Sequence, residues 1–559
     1  MATSRSDRAP SLHKDGRRPE EGSGPPFRRV LVANRGEIAV RIIRTCRELG
    51  MEPVAVHSDA DAGAEHVRRA DRAIRIGAAS PAQSYLRIDA IVEAARVSGA
   101  DAVHPGYGFL AERAAFARAV EAAGLVFVGP PPDAIEALGD KLHARRLAAS
   151  VDVPAVPGTT EPAPIERADQ VAAVVDEAHR IGFPLLVKAA AGGGGRGVRR
   201  VTDAADLPAA LASASAEAAS AFGDGSVYLE REIVTARHIE VQLLGDAAGE
   251  VVAIGERDCS IQRRHQKLVE EAPAPGLTID ERRTLHALAV RLATAAGLRN
   301  AATAEFLRAA DGAFYFLEVN TRLQVEHGIT ELVSGVDIVR EQFRLAAGWP
   351  LSGEARAAAA RAAEPHGHAI EVRITAEDPG RGFTPTPGRI RHWSMPGGPG
   401  VRVDTGIGAG DRVAPEYDNL IAKLMVHGSD RAAAIDRLRR ALDETEIGGL
   451  QTTLPFHRFV ARSPAFRRAD VSTGWVDEHW HGPAAASAGL RRAQLAAGID
   501  ALERGIAGHG PVQPGSLAPG PSSPAGGGSG GAPGGSGAPT AGTGWLTAAR
   551  AAGVDRWPR

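Results

Sequence analysis

Between Arg28 and Pro130, short apolar strands alternate with helical stretches, and this alternation constrains the fold more than any other feature of the chain. Val30 to Ala33 is apolar, Asn34-Arg35-Gly36 turns, Glu37 to Leu49 has helical spacing, Gly50 stops it, and Pro53 to His57 is a second strand. Ala102-Val103-His104 runs into the loop Pro105-Gly106-Tyr107-Gly108, and Leu125 to Val128 ends at Gly129-Pro130. Strands separated by helices predict a parallel sheet covered on both faces. Ligands of such sheets sit at the carboxyl ends of the strands, where the Asn34 and Tyr107 loops fall. No GxGxxG follows the first strand, so Asp59 is discounted as a dinucleotide ligand.

The rest of the chain divides by composition. Residues 1–27 are Arg-, Ser- and Pro-rich and read as a disordered extension, and 28–138 is the αβ unit above. Residues 139–350 read as α+β, with a lid over about 156–232, and 366–480 as short strands with a helix from Ser429 to Leu442. An isolated helix is expected over 485–507, and the Gly/Pro/Ser-rich 510–559 as a linker or tail that cannot bury a core. The net charge of −2 gives no sign of a nucleic-acid or membrane partner. No run approaches the roughly 18 apolar residues of a membrane helix. Two cysteines, Cys46 and Cys259, make no disulfide framework, and a cytoplasmic location is the simplest expectation.

Arginine fills 60 of the 65 basic positions. The five lysines are Lys14, Lys141, Lys188, Lys267 and Lys423. Such a chain keeps lysine where a compact, rotatable ammonium is needed and a planar fork does not fit, although codon drift gives the same bias. Lys188 ends the apolar strand Pro184 to Val187 and precedes a loop that includes Gly192, Gly193, Gly194 and Gly195. Consecutive glycines let backbone N–H groups turn toward an anion, so the loop reads as a phosphate flap rather than a bare surface turn.

A hairpin carries the next signal. Ala304 to Leu307 and Phe314 to Glu318 flank Asp311-Gly312, a strong type I′ turn dipeptide. With those two residues as the loop, residue i pairs with 623 − i and Glu305 faces Glu318. Facing carboxylates repel, and a divalent cation between them reverses that sign; magnesium fits, with manganese as the variant. Beyond Glu318 the even positions are Asn320, Arg322, Gln324 and Glu326, one polar face for as long as the chain stays extended. The run Glu256 to Lys267 is nearly all polar and reads either as a solvated loop or as an anion site.

The phrases VANRGEIAVRIIRTCRELG, HPGYGFLAER, GDKLHARR, VKAAAGGGGRGVRR, ERDCSIQRRHQKLVEEAPAP, EVNTRLQVEHGITE and EVRITAEDPGRGFTPTPG resemble the biotin carboxylase family of the ATP-grasp superfamily, from about Arg28 to Trp480. The resemblance implies an ATP-grasp fold, α/β and α+β, with an N-terminal parallel-sheet domain, a glycine-rich lid and a C-terminal domain. It implies ATP contacts from Lys141, Lys188, Glu230, His238, Gln262, His265 and the glycine loop, and magnesium on Glu305, Glu318 and Asn320. Lys267, Arg322, Gln324 and the Val325 backbone would bind bicarbonate, Glu326 would deprotonate it, Arg373 would stabilise the biotin enolate, and Tyr107 would flank the biotin ring. Two departures are Gly328, where the family commonly has proline, and Arg231, where lysine is frequent. No lysine between methionines follows, so biotin is expected on a separate carrier protein or domain. A carboxyltransferase partner, an acyl-CoA acceptor and a homo-oligomer complete the expectation. Lys423, in an apolar strand, receives no role.

Overall fold

The computed structural model describes residues 24–165, 167–190 and 198–482, with the single positions 495, 498 and 499. Gly192 to Gly195, nearly all of the 485–507 helix, the tract 510–559 and most of the N-terminal extension lie outside the described residues. Among the described residues no helix is long and apolar enough to cross a membrane.

The strand–helix alternation folds as expected. Five parallel strands stand in the order Arg72–Gly77, Glu52–Ser58, Arg29–Val32, Ala102–His104 and Val126–Phe127. Both faces are covered: Leu31 and Ala33 join one apolar cluster with Val54, Val103 and Phe116, while Val30 and Val32 join another with Ile38, Ile338 and Phe343. Period-two alternation thus sends successive residues of one strand into two different cores.

The second sheet has eight antiparallel strands. Their order is Phe314–Asn320, Asn300–Arg308, Arg237–Gly245, Val251–Arg263, Gln266–Ala272, His368–Thr375, Leu420–Gly428 and Val401–Thr405. One sheet therefore runs across the step in the chain between 350 and 366, joined where Val269 to Ala272 pair with Val372 to Ala369. A smaller sheet places Leu185–Ala189 between Val198–Val201 and Val227–Arg231. The helix expected from Ser429 is Arg431–Glu444, capped by Asp430, whose side chain accepts from the Ala433 N–H.

Three local expectations change. The hairpin loop holds three residues rather than two: Ala309 N–H donates to the Ala313 carbonyl, and Gly312 takes φ +89°. Pairing near the loop therefore follows Phe306↔Phe316, and a bulge between Glu305 and Phe306 shifts the register by one residue. Glu305 faces Glu318 because the longer loop and the bulge cancel. The strand also ends at Asn320, so the polar face does not continue extended to Glu326; a turn follows and the helix His327–Ser334 begins. Finally, Glu256 to Lys267 is not a loop, and only its turn is exposed. It is two strands joined by Arg264-His265, both at positive φ between the paired Arg263 and Gln266.

Candidate active site

The eight-stranded sheet puts charge in register. Glu318, Glu305, Glu240 and Arg257 lie opposite one another across four neighbouring strands. On the next three strands, Glu270 faces Glu371, and Arg373 faces Lys423. An ion left alone in such an interior costs several kcal/mol, so each needs partners. Arg257, fully buried, gives its Nε to Glu240 at 2.5 Å and its other nitrogens to Gln242, Thr303 and Thr330 at 2.9 to 3.2 Å.

Lys267 is the hub. Its ammonium reaches Glu240 Oε2 at 2.5 Å, Glu326 Oε1 at 2.7 Å and Glu305 Oε1 at 2.9 Å. Burial disfavours its charge, but three carboxylates hold it well above the usual lysine range. Glu326, 0% exposed, is gripped on its other oxygen by Arg373 Nη2 at 2.8 Å. Burial works to raise its carboxyl, yet Lys267, Arg373 and Arg257 pull it well below the normal value, so the group is an ionised carboxylate as long as those cations face it. Arg373 is fixed in turn by Glu270 Oε1 at 2.6 Å.

The metal-type groups divide. Glu305 is surrounded by donors: His238 Nε2 at 2.8 Å, Asn320 Nδ2 at 2.8 Å and Lys267. Glu318 has no hydrogen-bond donor among the described residues; burial first, then the charge of Glu305, pushes its carboxyl up. A hard divalent cation relieves that repulsion, and the two carboxylates and the Asn320 amide oxygen suit it. Ligand atoms of His238, Glu240 and Glu305 also lie within 4.8 Å of one another, but the Lys267 ammonium already supplies positive charge to both glutamates.

Arg322 donates to Asn320 Oδ1 and Gln324 Oε1 at 3.1 Å each and pairs with Glu112 at 2.9 Å. Lys188 pairs with Glu230, which Arg145 also holds at 2.9 Å and Tyr228 at 3.2 Å. Lys141 lies in the field of Glu318 and Glu230, and burial lowers its ammonium. Gln262 is half-buried and His265 exposed at the hairpin turn, so these two stand at the edge of the cluster. Tyr107 donates its hydroxyl to Glu37 Oε1.

Sequence reasoning missed Glu240, Arg257, Glu270, Glu371, Glu37, Arg145 and the contacts of Lys423. The signal for Glu240 was present: His238, Glu240 and Gln242 alternate with Ile239, Val241 and Leu243, the same period of two that marks the hairpin. The others depend on strands distant in sequence.

Three family models match: biotin carboxylase N-terminal domain over 26–135, the ATP-binding domain of the carbamoyl-phosphate synthase L chain over 140–354, and biotin carboxylase C-terminal domain over 371–478. A biotin carboxylase of Haemophilus influenzae is 46% identical over 450 residues, covering 80% of this chain and 98% of that protein. The biotin-dependent acyl-coenzyme A carboxylase alpha3 subunit of Mycobacterium leprae is 48% identical over 457 residues, 81% of this chain and 75% of that one. Among solved structures, the biotin carboxylase domain dimer of Hydrogenobacter thermophilus 2-oxoglutarate carboxylase, in complex with MgADP, ADP and bicarbonate, superposes with a TM-score of 0.77. It is 44% identical and covers 82% of this chain and 98% of that one.

Proposed function

The chain belongs to the biotin carboxylase family, and from that premise we propose that it uses ATP and bicarbonate to carboxylate biotin held on a separate carrier. The observation that carries this reading is Glu326, sealed from solvent between Lys267 and Arg373. A buried carboxylate between two cations suits abstraction of a proton from an anion that those same cations hold.

Glu326 takes the bicarbonate proton, a bicarbonate oxygen attacks the γ-phosphorus, and ADP leaves as carboxyphosphate forms. Carboxyphosphate releases CO₂ and phosphate, the phosphate takes the ureido proton of biotin, and the nitrogen attacks CO₂. Lys267, Arg322, Gln324 and the Val325 backbone bind the bicarbonate, and Arg373 stabilises the biotin enolate beside Tyr107. Lys141, Lys188, Glu230, His238, Gln262 and His265 contact ATP. Glu305, Glu318 and Asn320 hold magnesium, which neutralises phosphate oxygen charge when bound. The intermediate hydrolyses in water, so exclusion of solvent around Glu326 is part of the chemistry.

The carrier is a biotinylated protein or domain, which hands its carboxyl group to a carboxyltransferase, with an acyl-CoA as final acceptor and the enzyme working as a homo-oligomer. The test is ADP release measured with and without bicarbonate and free biotin. Release that requires bicarbonate and rises with biotin is expected; release indifferent to bicarbonate overturns the reading.

A further inference from the structure

Four of the five lysines fall within the described residues, and none of the four is exposed. Three have places in the proposed chemistry. The fourth, Lys423, is the most deeply buried of them at 0% exposure, in the middle of the strand Leu420–Gly428. A leucine there would avoid the several kcal/mol that an interior ammonium costs when it is left without partners. Its contacts show what the ammonium does. Nζ donates to the Val325 carbonyl at 2.8 Å, sits 3.2 Å from Glu37 Oε1 and lies 3.8 Å from Asp404 Oδ2.

Each partner comes from a different part of the molecule. Val325 is the residue before Glu326, in the turn that follows the hairpin. Glu37 stands in the first turn of the helix Gly36–Glu48, and the same oxygen that faces Lys423 accepts the Tyr107 hydroxyl. Asp404 belongs to the edge strand, opposite Lys423 in register, and is also held by Arg402 at 2.7 Å. On the other side Lys423 pairs in register with Arg373, which grips the Glu326 carboxylate itself. Two adjacent cations thus hold one turn: Arg373 takes the side chain of Glu326, and Lys423 takes the peptide carbonyl just before it. An ammonium has three donors spread about one atom and can serve a carbonyl and carboxylates on separate elements. A planar guanidinium cannot direct its fork to all of them, which explains lysine here in a chain that prefers arginine.

We infer that Lys423 is a positioning residue for biotin carboxylation: it fixes the Val325–Glu326 turn against Glu37 and Tyr107, keeping the bicarbonate and biotin sides of the site in one register. The inference rests on the biotin carboxylase reading. The competing role is that of a mere counter-charge for Glu37 and Asp404.

The experiment compares wild type with Lys423→Met, Glu37→Gln and the double variant, by ADP release against bicarbonate at saturating MgATP and biotin, by KM for ATP, and by thermal midpoint. Wild-type dependence on bicarbonate is the control; if it is absent, the functional reading has failed rather than this inference. Lys423→Met should lose stability, raise KM for bicarbonate and lower kcat by about tenfold or more, the scale of a small misplacement, while KM for ATP stays within about twofold. Glu37→Gln keeps an oxygen for Tyr107 and Lys423, and should change kcat by less than about threefold. The double variant removes both charges, so its midpoint should recover while the kinetic defect of Lys423→Met persists. Recovery of turnover together with the midpoint overturns the inference, as does wild-type kinetics in Lys423→Met or a Glu37→Gln defect as large as that of the double. If Lys423→Met alone does not fold, the double variant still decides.

Discussion

Two pairs of glutamates face each other across neighbouring strands of the same sheet, Glu305 with Glu318 and Glu270 with Glu371, and their surroundings differ sharply. Glu305 has Lys267, His238 and Asn320 on its oxygens, and Glu318 keeps partial access to solvent. Glu270 and Glu371 are both fully buried; Arg373 takes one oxygen of Glu270, and the other three oxygens of the pair have no partner. Burial raises the Glu270 carboxyl to about 7 and that of Glu371 well above its ordinary value. Facing carboxylates can serve a cation only where an ion can enter, as beside Glu318. Where the pair is sealed, burial favours the protonated form instead.

Glu326 joins the two pairs, since Lys267 also touches Glu305 and Arg373 also touches Glu270. The largest expected effect is accordingly Glu326→Gln, with bicarbonate-dependent turnover down roughly a hundredfold or more and ATP affinity retained. Near-normal turnover would remove the reason for treating the two pairs as flanks of one site.

Next comes the asymmetry inside the first pair. Glu305→Gln takes a charge from beneath Lys267 and His238 and should cost about 2–3 kcal/mol without metal, read from urea unfolding. Glu318→Gln removes the repelled partner and should be neutral or slightly stabilising under the same conditions. Both should raise the magnesium concentration needed for ADP release. Equal destabilisation by the two would erase the distinction.

The second pair should show itself through pH. Glu371 is held above its unfolded value, so over that window the folded state keeps a proton that the unfolded state has lost, and stability falls as pH rises. Glu371→Gln cannot ionise. Its stability should decline less between about pH 5.5 and about pH 8, by about 1–2 kcal/mol relative to wild type, in urea unfolding at both values. Parallel profiles would mean that Glu371 is paired as well as Glu305 is.

The smallest effect concerns the turn itself. A Cβ on Gly328 would collide with Met425 Sδ, the end of a flexible side chain, and φ at Gly328 is not positive. Gly328→Ala should cost about 1 kcal/mol, and adding Met425→Leu should change that cost if the two positions compensate, since contacting residues are not additive. Proline at the second helical position loses no intrahelical hydrogen bond and should behave much like alanine.

The first pair was legible in the sequence and the second was not, for a physical reason. Glu305 and Glu318 are close in the chain and joined by a turn with its own chemistry, so their register followed from local rules, although loop length and bulge offset each other. Glu270 and Glu371 are about a hundred residues apart, and nothing local sets their register. The parallel sheet was legible because its alternation is repeated. Of the two readings of Glu256 to Lys267, the solvated loop failed because charged residues normally lie outside; Arg257 lies inside only because Glu240, Gln242, Thr303 and Thr330 converge on it from other segments.

The enclosure of Lys141, Lys188, Lys267 and Lys423 has a practical result. An amine-directed acylating reagent meets no exposed lysine among the described residues, so labelling of these four reports on the interior. Peptide mapping over time would then rank Lys188 and Lys267 by how often solvent reaches them, and ATP should slow both. With every described lysine inside the cluster, a common surface reagent becomes a selective probe of this enzyme's interior.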